Sequence, residues 1–409
     1  MKSLLSVAQV ADMLSVSKQT VRTWDKQGKL KAERHPINNY RVYRRENLEN
    51  ISLIPRAFIK EDEFKHTKPK KTPTCIELFA GAGGLALGFE RAGINSVLLN
   101  EIDKYACATL RKNRPNWNVV EGDVTKVNFK KYRDKIDIVS GGFPCQTFSY
   151  AGKKMGLEDT RGTMFYEFSR CVKEVNPKIV LGENVRGLLN HDGGKTLSLM
   201  KKVLDDLGYK VIEPKIMKAI HYRVPQKRER LFIIAIRKDL NLKFEFPQPF
   251  DTLYTIKDTL QAGVLFDTDV PDSLGQKYSE RKAEILAMVP QGGYWRDLPK
   301  HIQKEYMLKS YYLGGGKTGM ARRMSWDEPS LTLTCAPAQK QTERCHPDDT
   351  RPFKVREYAR IQTFPDNWEF SGGTSQQYKQ IGNAVPVNLG YYMGQSLIKA
   401  LEKQVCIEV

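Results

Sequence analysis

The sequence has no apolar run long enough to cross a membrane, for which about 20 mostly apolar residues are needed. Its opening, Met1-Lys2-Ser3-Leu4-Leu5-Ser6-Val7, carries neither a long apolar core nor a small-residue cleavage site, so no signal peptide is expected. Cysteine is sparse: seven among 409 residues, odd in number and scattered. That excludes a disulfide framework and suits a reducing, cytoplasmic setting. Cys335, Cys345 and His346 are the only clustered soft ligands, and without a second close pair no zinc or other metal site is expected. Acidic residues are outnumbered, 47 against 66 lysines and arginines, for a formal net charge of +19. An excess of that size speaks of partners rather than of fold. It favours nucleic acid, because phosphate contacts supply most non-specific binding. The length exceeds a usual single core, so two or three domains are expected.

The stretch around which the chain is organised is Ser140-Gly141-Gly142-Phe143-Pro144-Cys145-Gln146-Thr147-Phe148-Ser149. Before it runs Ile136-Asp137-Ile138-Val139, a short apolar run of the buried parallel-strand kind. The glycine pair and the proline end that strand abruptly. Cys145 therefore falls just past the carboxyl end of a central strand, where open α/β sheets hold their ligands. A thiol there is a candidate nucleophile, the alternative being a buried structural cysteine.

Gly142 to Ser149 resembles the catalytic motif of the DNA cytosine-C5 methyltransferases, and further motifs of that family recur in order from about Thr74 to the C-terminus. The resemblance implies an α/β fold, a doubly wound Rossmann-like sheet with a smaller target-recognition domain. It implies methylation of cytosine C5 in double-stranded DNA with S-adenosyl-L-methionine as cofactor. Cys145 would attack C6 of a flipped base, since the target atoms are unreachable inside a duplex. Pro144 would lie by the cofactor, and Gln146 and Ser149 would touch DNA.

The other motifs follow in order. Thr74-Cys75-Ile76-Glu77-Leu78-Phe79-Ala80-Gly81-Ala82-Gly83-Gly84 is a strand running into a glycine-rich turn, and glycine lets backbone approach a ligand closely. A second strand, Ser96 to Asn100, ends at Glu101, at the spacing of an acid that grips ribose hydroxyls. Taken alone, the turn also fits a nicotinamide-dinucleotide fingerprint. By resemblance Phe79, Gly81 and Gly83 line the methionine end of the cofactor, Glu101 takes the ribose, Ile102 packs on the adenine and Asp123 accepts from its amino group. Glu77 departs from the family, which usually has Asp there; Ala82 stands where a larger apolar residue is common.

Tyr150 to Gly162 has glycines, lysines and no apolar period, and it resembles the family's loop that closes over DNA, with Arg161 at a phosphate. A helix is expected over Met164 to Val175. Ile179-Val180-Leu181-Gly182 is the next strand, delivering Glu183-Asn184-Val185 at its carboxyl end. By resemblance Glu183 is the second catalytic group. Val224-Pro225-Gln226-Lys227-Arg228-Glu229-Arg230 precedes the strand Leu231 to Ile236. Alternating arginines before a strand project on one side and offer bidentate donors. By resemblance Arg230 binds the carbonyl oxygen of the flipped cytosine, and Arg228 supports the loop and backbone. Gln380-Ile381-Gly382-Asn383-Ala384-Val385-Pro386 is expected to open a helix to about Leu401 and, by resemblance, to place Asn383 and Ala384 near the methionine part of the cofactor.

Upstream, Val7, Val10, Ala11 and Leu14 fall at helical spacing, and Ser17 is placed to cap a second helix from Lys18 through Trp24. Two short helices joined by a tight turn make a helix-turn-helix. Lys29-Leu30-Lys31-Ala32 and Tyr40-Arg41-Val42-Tyr43 then read as a hairpin wing. The block resembles the DNA-binding domain of MerR-type and excisionase-type regulators, which implies DNA contacts from Lys18, Gln19, Thr20, Arg22 and Arg41.

The expected division is a helix-turn-helix domain over 1–53, a linker over 54–72, a catalytic domain over 73–237, a target-recognition domain over 238–320, and a hinge with return to the catalytic domain over 321–409. The expected partners are double-stranded DNA, engaged as a monomer at the methylation site, and a promoter of the protein's own operon. Three alternatives stand at this point: an RNA cytosine-C5 methyltransferase, a DNA-binding transcriptional regulator, and a nicotinamide-dependent oxidoreductase.

Overall fold

A computed structural model describes residues 4–14, 16–35, 39–44, 48, 58–144 and 163–402. It divides into two compact units, Met1–Lys65 with Gln248–Leu253, and His66–Pro247 with Tyr254–Val409.

The smaller unit begins with β1 (Leu4–Ser6), α1 (Val7–Leu14) and α2 (Lys18–Lys26). Ser17 has extended backbone, and its Oγ accepts from the Thr20 N–H at 2.9 Å, so the expected cap is present. Val10, Ala11 and Met13 pack with Val21, Leu30, Tyr43 and Leu48. The wing differs from expectation in register. Its strands are β2 (Glu33–Arg34) and β3 (Arg41–Arg44), with Glu33 opposite Val42. Residues 29–32 are not the first wing strand, because Leu30 is drawn into the core and the Ala32 N–H is taken by Asp25 Oδ1 at 3.0 Å. β1 adds a third strand, in the order β1-β3-β2. Ile59 bridges to Phe250, which is how 248–253 joins this unit.

The larger unit is built on β4 (Thr74–Leu78), α3 (Gly84–Ala92), β5 (Asn95–Glu101), α4 (Lys104–Asn113), β6 (Val119–Glu121), β7 (Ile138–Gly141), α5 (Met164–Val175), β8 (Ile179–Val185), α6 (Lys195–Asp206), β9 (Tyr209–Val211), β10 (Lys215–Lys218), β11 (Gln226–Lys227) and β12 (Glu229–Arg237). The sheet order is β10-β12-β8-β7-β4-β5-β6, with β9 on β12. Strands β6, β5, β4, β7 and β8 are parallel, and β12 runs antiparallel to β8. The chain winds from β4 outward to β5 and β6, then returns to β7 and β8 on the other side. Strand order therefore reverses between β4 and β7, opening a crevice at their carboxyl ends. This is the doubly wound α/β sheet that the motifs imply.

One face of the sheet, with Ile76, Leu78, Val139 and Val180, packs on Phe165, Phe168 and Val172 of α5 and Leu199 and Val203 of α6. A second core joins Ala86, Leu87 and Leu99 to residues from the far end of the chain, among them Tyr358, Trp368, Ile381 and Val387. Those come from α10 (Val355–Ile361), α11 (Thr374–Asn383), α12 (Val387–Glu402) and the turns between them, in a chain that first passes α7 (Ile256–Leu260), α8 (Glu280–Ala287), α9 (Lys300–Met307) and β13 (Ser330–Leu331). Residues 238–320 are shared between cores: Ile256 and Leu260 join the second, while Ile285, Trp295, Ile302, Tyr306 and Met320 make a small third one.

Two further expectations shift. Gln380 to Asn383 closes α11 rather than opening a helix; Ala384 is extended, and the new helix starts after Pro386. Proline cannot continue a helix, so the run that ends at Asn383 does not carry through Pro386. Upstream of β4, the Thr67 N–H donates to Gln395 Oε1 at 2.6 Å and the Lys70 N–H to Glu402 Oε1 at 2.8 Å, so part of the stretch read as linker is fastened to α12.

The approach of α3 to α12 is set by glycine. A Cβ on Gly88 would stand 2.5 Å from Val387 O and 2.6 Å from Tyr391 N, both backbone atoms that cannot step aside. Gly88→Ala is therefore expected to lower stability by about 1–3 kcal/mol through overpacking. Gly263→Ala, where an added Cβ meets nothing within 4 Å, should leave it nearly unchanged. Thermal unfolding of the two variants beside the parent checks this; equal midpoints would show that the seam yields.

Candidate active site

A cavity of about 560 Å³ opens at the carboxyl ends of β4, β5, β7 and β8, at the reversal of strand order. Glu77, Phe79, Gly81, Glu101, Ile102, Pro144, Glu183, Arg230, Asn383 and Ala384 line it, with Asp103, Asn184, Lys379 and Gln380. Of the residues expected around a cofactor, Gly83 and Asp123 are not in the lining. Gly83 instead takes a left-handed conformation (φ 83°) that starts α3, and Asp123 is exposed, its side chain accepting from the Thr125 N–H at 2.9 Å. Cys145, Gln146, Ser149 and Arg161 lie outside the described residues.

Phe79, straight after β4, has φ 58°, a conformation that a bulky side chain adopts only under constraint. Such outliers gather where structure over-determines a functional site. Glu101, at the end of β5, is fixed by three backbone donors: Gly81 N–H to Oε2 at 2.7 Å, and the N–H groups of Ile102 and Asp103 to Oε1 at 2.8 Å each. The same contacts turn Ile102 outward, and it is 71% exposed beside the cavity. Asp103 caps α4 and pairs with Lys379 of α11 at 2.8 Å, joining the two ends of the chain across the pocket.

On the other side, Glu183 lies inside β8 rather than past its end, because pairing with β12 continues through Glu183–Phe232 to Val185–Arg230. Its Oε1 receives Arg230 Nε at 2.8 Å, and both side chains are nearly enclosed, 11% and 13% exposed. Burial pushes the Glu183 carboxyl up, against the pull of Arg230 and Arg228. Gly142 makes room for it: a Cβ there would stand 2.9 Å from Glu183 Oε2. Asn184 Nδ2 donates to Phe143 O at 2.8 Å and so holds the segment that leads into Cys145.

Arg228, 1% exposed, is not among the residues lining the cavity. It donates to Leu333 O at 3.2 Å, Gly382 O at 2.9 Å and Asn383 O at 3.4 Å. It is thus a positioning residue that binds the end of α11, consistent with support of backbone. Asn383 accepts from the Cys335 thiol at 3.0 Å. In the smaller unit Lys18 and Arg22 stand exposed on α2, whereas Arg41 pairs with Asp25 at 2.7 Å.

Sequence reasoning missed Glu77 and Lys379 as lining residues. Glu77 is 3% exposed, and its Oε2 has no hydrogen-bond partner among the described residues. Burial, then the neighbouring Glu183 and Glu101, push its carboxyl up to about 8. The available signal was its place two residues before Phe79 in a strand that otherwise reads as apolar core.

The family model of C-5 cytosine-specific DNA methylases matches residues 73–399, and the chain belongs to that family: it is a DNA (cytosine-5-)-methyltransferase. The model of MerR family regulatory proteins matches residues 6–43. The Type II methyltransferase M.Eco47II of Escherichia coli is 62% identical over 98% of this chain and 97% of its own. The Type II methyltransferase M.HhaI of Haemophilus parahaemolyticus is 35% identical over 80% of this chain and 94% of its own. Among solved structures, a DNA modification methyltransferase encoded within an Escherichia coli prophage has the same fold, with a TM-score of 0.63, 24% identity, and coverage of 81% of this chain and 100% of that one.

Removing one partner of a buried ion pair strands the other. Arg230→Met should cost about 3–5 kcal/mol at neutral pH. The stranded Glu183 then holds its proton to still higher pH. A carboxyl raised on folding lends its stability below the unfolded value, near ~4.3, and loses it as pH rises. The deficit of the variant should therefore shrink toward pH 5, as denaturant unfolding at pH 5 and pH 8 would show; a pH-independent deficit counts against the pairing.

Proposed function

We propose that this enzyme methylates C5 of cytosine within a specific double-stranded DNA sequence as the methylase of a restriction–modification system, using S-adenosyl-L-methionine and a covalent step at Cys145. The observation that carries the reading is a single cavity with two walls. One has Glu101, Phe79 and Ile102; the other has Glu183 and Arg230; and Pro144, the residue before Cys145 in the sequence, lines the same cavity. The donor set fits the cofactor. Glu101 can accept from ribose hydroxyls with its remaining lone pairs, Ile102 offers a bare apolar face, and the glycine turn gives access to backbone. Asn383 and Ala384 face the methionine end. When bound, S-adenosyl-L-methionine supplies an electrophilic methyl group.

Cytosine C5 is a poor nucleophile. Attack of the Cys145 thiolate on C6 raises electron density at C5. Glu183, whose carboxyl burial raises in proton affinity, holds N3 and supplies it with a proton, so charge does not build up in the ring. Arg230 holds Glu183 and offers its guanidinium to the base carbonyl. With S-adenosyl-L-methionine bound, C5 would take its methyl group, the S–CH3 electron pair staying on sulfur, and the C5 proton would leave to water. The C5–H electron pair forms the C5=C6 bond as the C6–S bond breaks with its pair returning to Cys145, and N3 returns its proton to Glu183. Residues 238–320 read the target sequence, and Gln146, Ser149 and Arg161 hold the DNA around the flipped base.

Cys145→Ser is expected to abolish methyl transfer while S-adenosyl-L-methionine binds as before. A target carrying 5-fluorocytosine should trap the parent, but not the variant, as a covalent adduct visible in a denaturing gel. Turnover by the serine variant would remove the covalent step.

The smaller unit serves regulation: it binds the promoter of its own operon through α2 and the wing, and so limits synthesis of the enzyme. Lys18 and Arg22 on α2, with the wing carrying Arg41, support this. Deletion of residues 1–65 should leave most methylation intact and erase a footprint upstream of the gene. Methylation lost at moderate salt and regained at low salt would instead mark the unit as a source of non-specific affinity.

A further inference from the structure

Three carboxylates stand on one face of the sheet. Glu77 is opposite Leu99 of β5 and Ser140 of β7, and Ser140 is opposite Leu181 of β8. Glu101 and Glu183 each lie two residues beyond those partners, and side chains repeat to one face every second residue. Glu77 thus sits on the middle strand, lower in the crevice, between the two acids already described. The two outer acids are answered: Glu101 by three backbone N–H groups, Glu183 by Arg230. Glu77 is not, since its buried Oε2 has no partner among the described residues.

Among the described residues, the groups around it supply no free cation. Cys75, two residues back on β4, meets Ser140 at 3.4 Å. Arg230 is committed to Glu183 and Lys379 to Asp103. The lining from α3 and the turn before α12 is Gly84, Leu85, Ala384 and Val385. A buried carboxyl in this setting stays neutral until a positive charge arrives to oppose it. The methyl donor carries such a charge on its sulfur. That charge disappears when the S–CH3 bond breaks and its electron pair stays on sulfur, leaving a neutral thioether.

We propose that Glu77 is a charge-recognition residue that separates donor from product: it gives up its proton to solvent when a sulfonium enters the cavity and keeps it against the thioether. The proposal rests on the S-adenosyl-L-methionine reading. Its consequence is that donor binding releases a proton and product binding does not. The ion contact that favours the donor vanishes with the reaction, so spent cofactor is exchanged for fresh.

Calorimetric titration of the full-length protein with S-adenosyl-L-methionine and with S-adenosyl-L-homocysteine, at pH 6, 7 and 8 in buffers of differing ionisation heat, tests this. The amino and carboxyl groups common to both ligands cancel in the comparison. Donor affinity should strengthen relative to product by up to tenfold per pH unit, with about one proton released on donor binding at low pH. Glu77→Gln should abolish that difference and weaken donor binding toward that of product. Glu77→Asp should retain it. Parallel pH dependence of the two ligands in the parent overturns the proposal, as does a difference that survives in Glu77→Gln; the parent comparison decides even if a variant misfolds. If the parent binds neither ligand, the cofactor reading falls, and the proposal with it.

Discussion

The close approach of α3 to α12 is the contact on which the cavity depends. Gly88 faces the backbone of Val387 and Tyr391 where a side chain would collide, and Gly84 faces Val385 O in the same way. Only at that separation can the end of α11 close on the turn after β4. Arg228 then fastens it by donating to the carbonyls of Gly382 and Asn383. Lys379 and Asn383 reach the pocket because the last helices are laid against the first one after the glycine turn. Backbone geometry at this seam therefore sets the shape of a site whose chemistry lies elsewhere.

Within the cavity the governing feature is a set of three buried carboxyls with partners for two among the described residues. Three carboxylates share one sheet face, and a single guanidinium and a set of backbone N–H groups answer two of them. Low polarity around them makes each pairing strong and each omission costly. Glu183 and Glu101 are held in place by their partners. Glu77 stands buried on its strand, its Oε2 without a partner among the described residues.

The two units differ in how they are held together. The smaller one uses a capped helix, a small apolar core and ion pairs such as Asp25–Arg41. The larger one depends on pairings between distant segments, from the β4 crevice to the α3–α12 seam.

Much of this was legible in the sequence. Ser17 announced a cap, the apolar runs before Glu101 and Cys145 announced buried strands, and the ordered motifs named the family. These signals act over a few residues: a hydroxyl two or three positions before the N–H that it caps, or glycine where a turn needs a positive φ. The misplacements came where a longer-range contact prevailed. Leu30 was pulled into a core and moved the wing strand. Pairing with β12 drew Glu183 inside β8. The sequence by itself determined the family, the doubly wound sheet and the N-terminal helix-turn-helix. Only the tertiary structure decided that Glu77 is buried with its Oε2 unpartnered among the described residues, that Arg228 binds backbone, and that Lys379 borders the pocket. Those outcomes depend on which strands and helices become neighbours, and a carboxylate's burial and partners are properties of that arrangement rather than of its own stretch of chain.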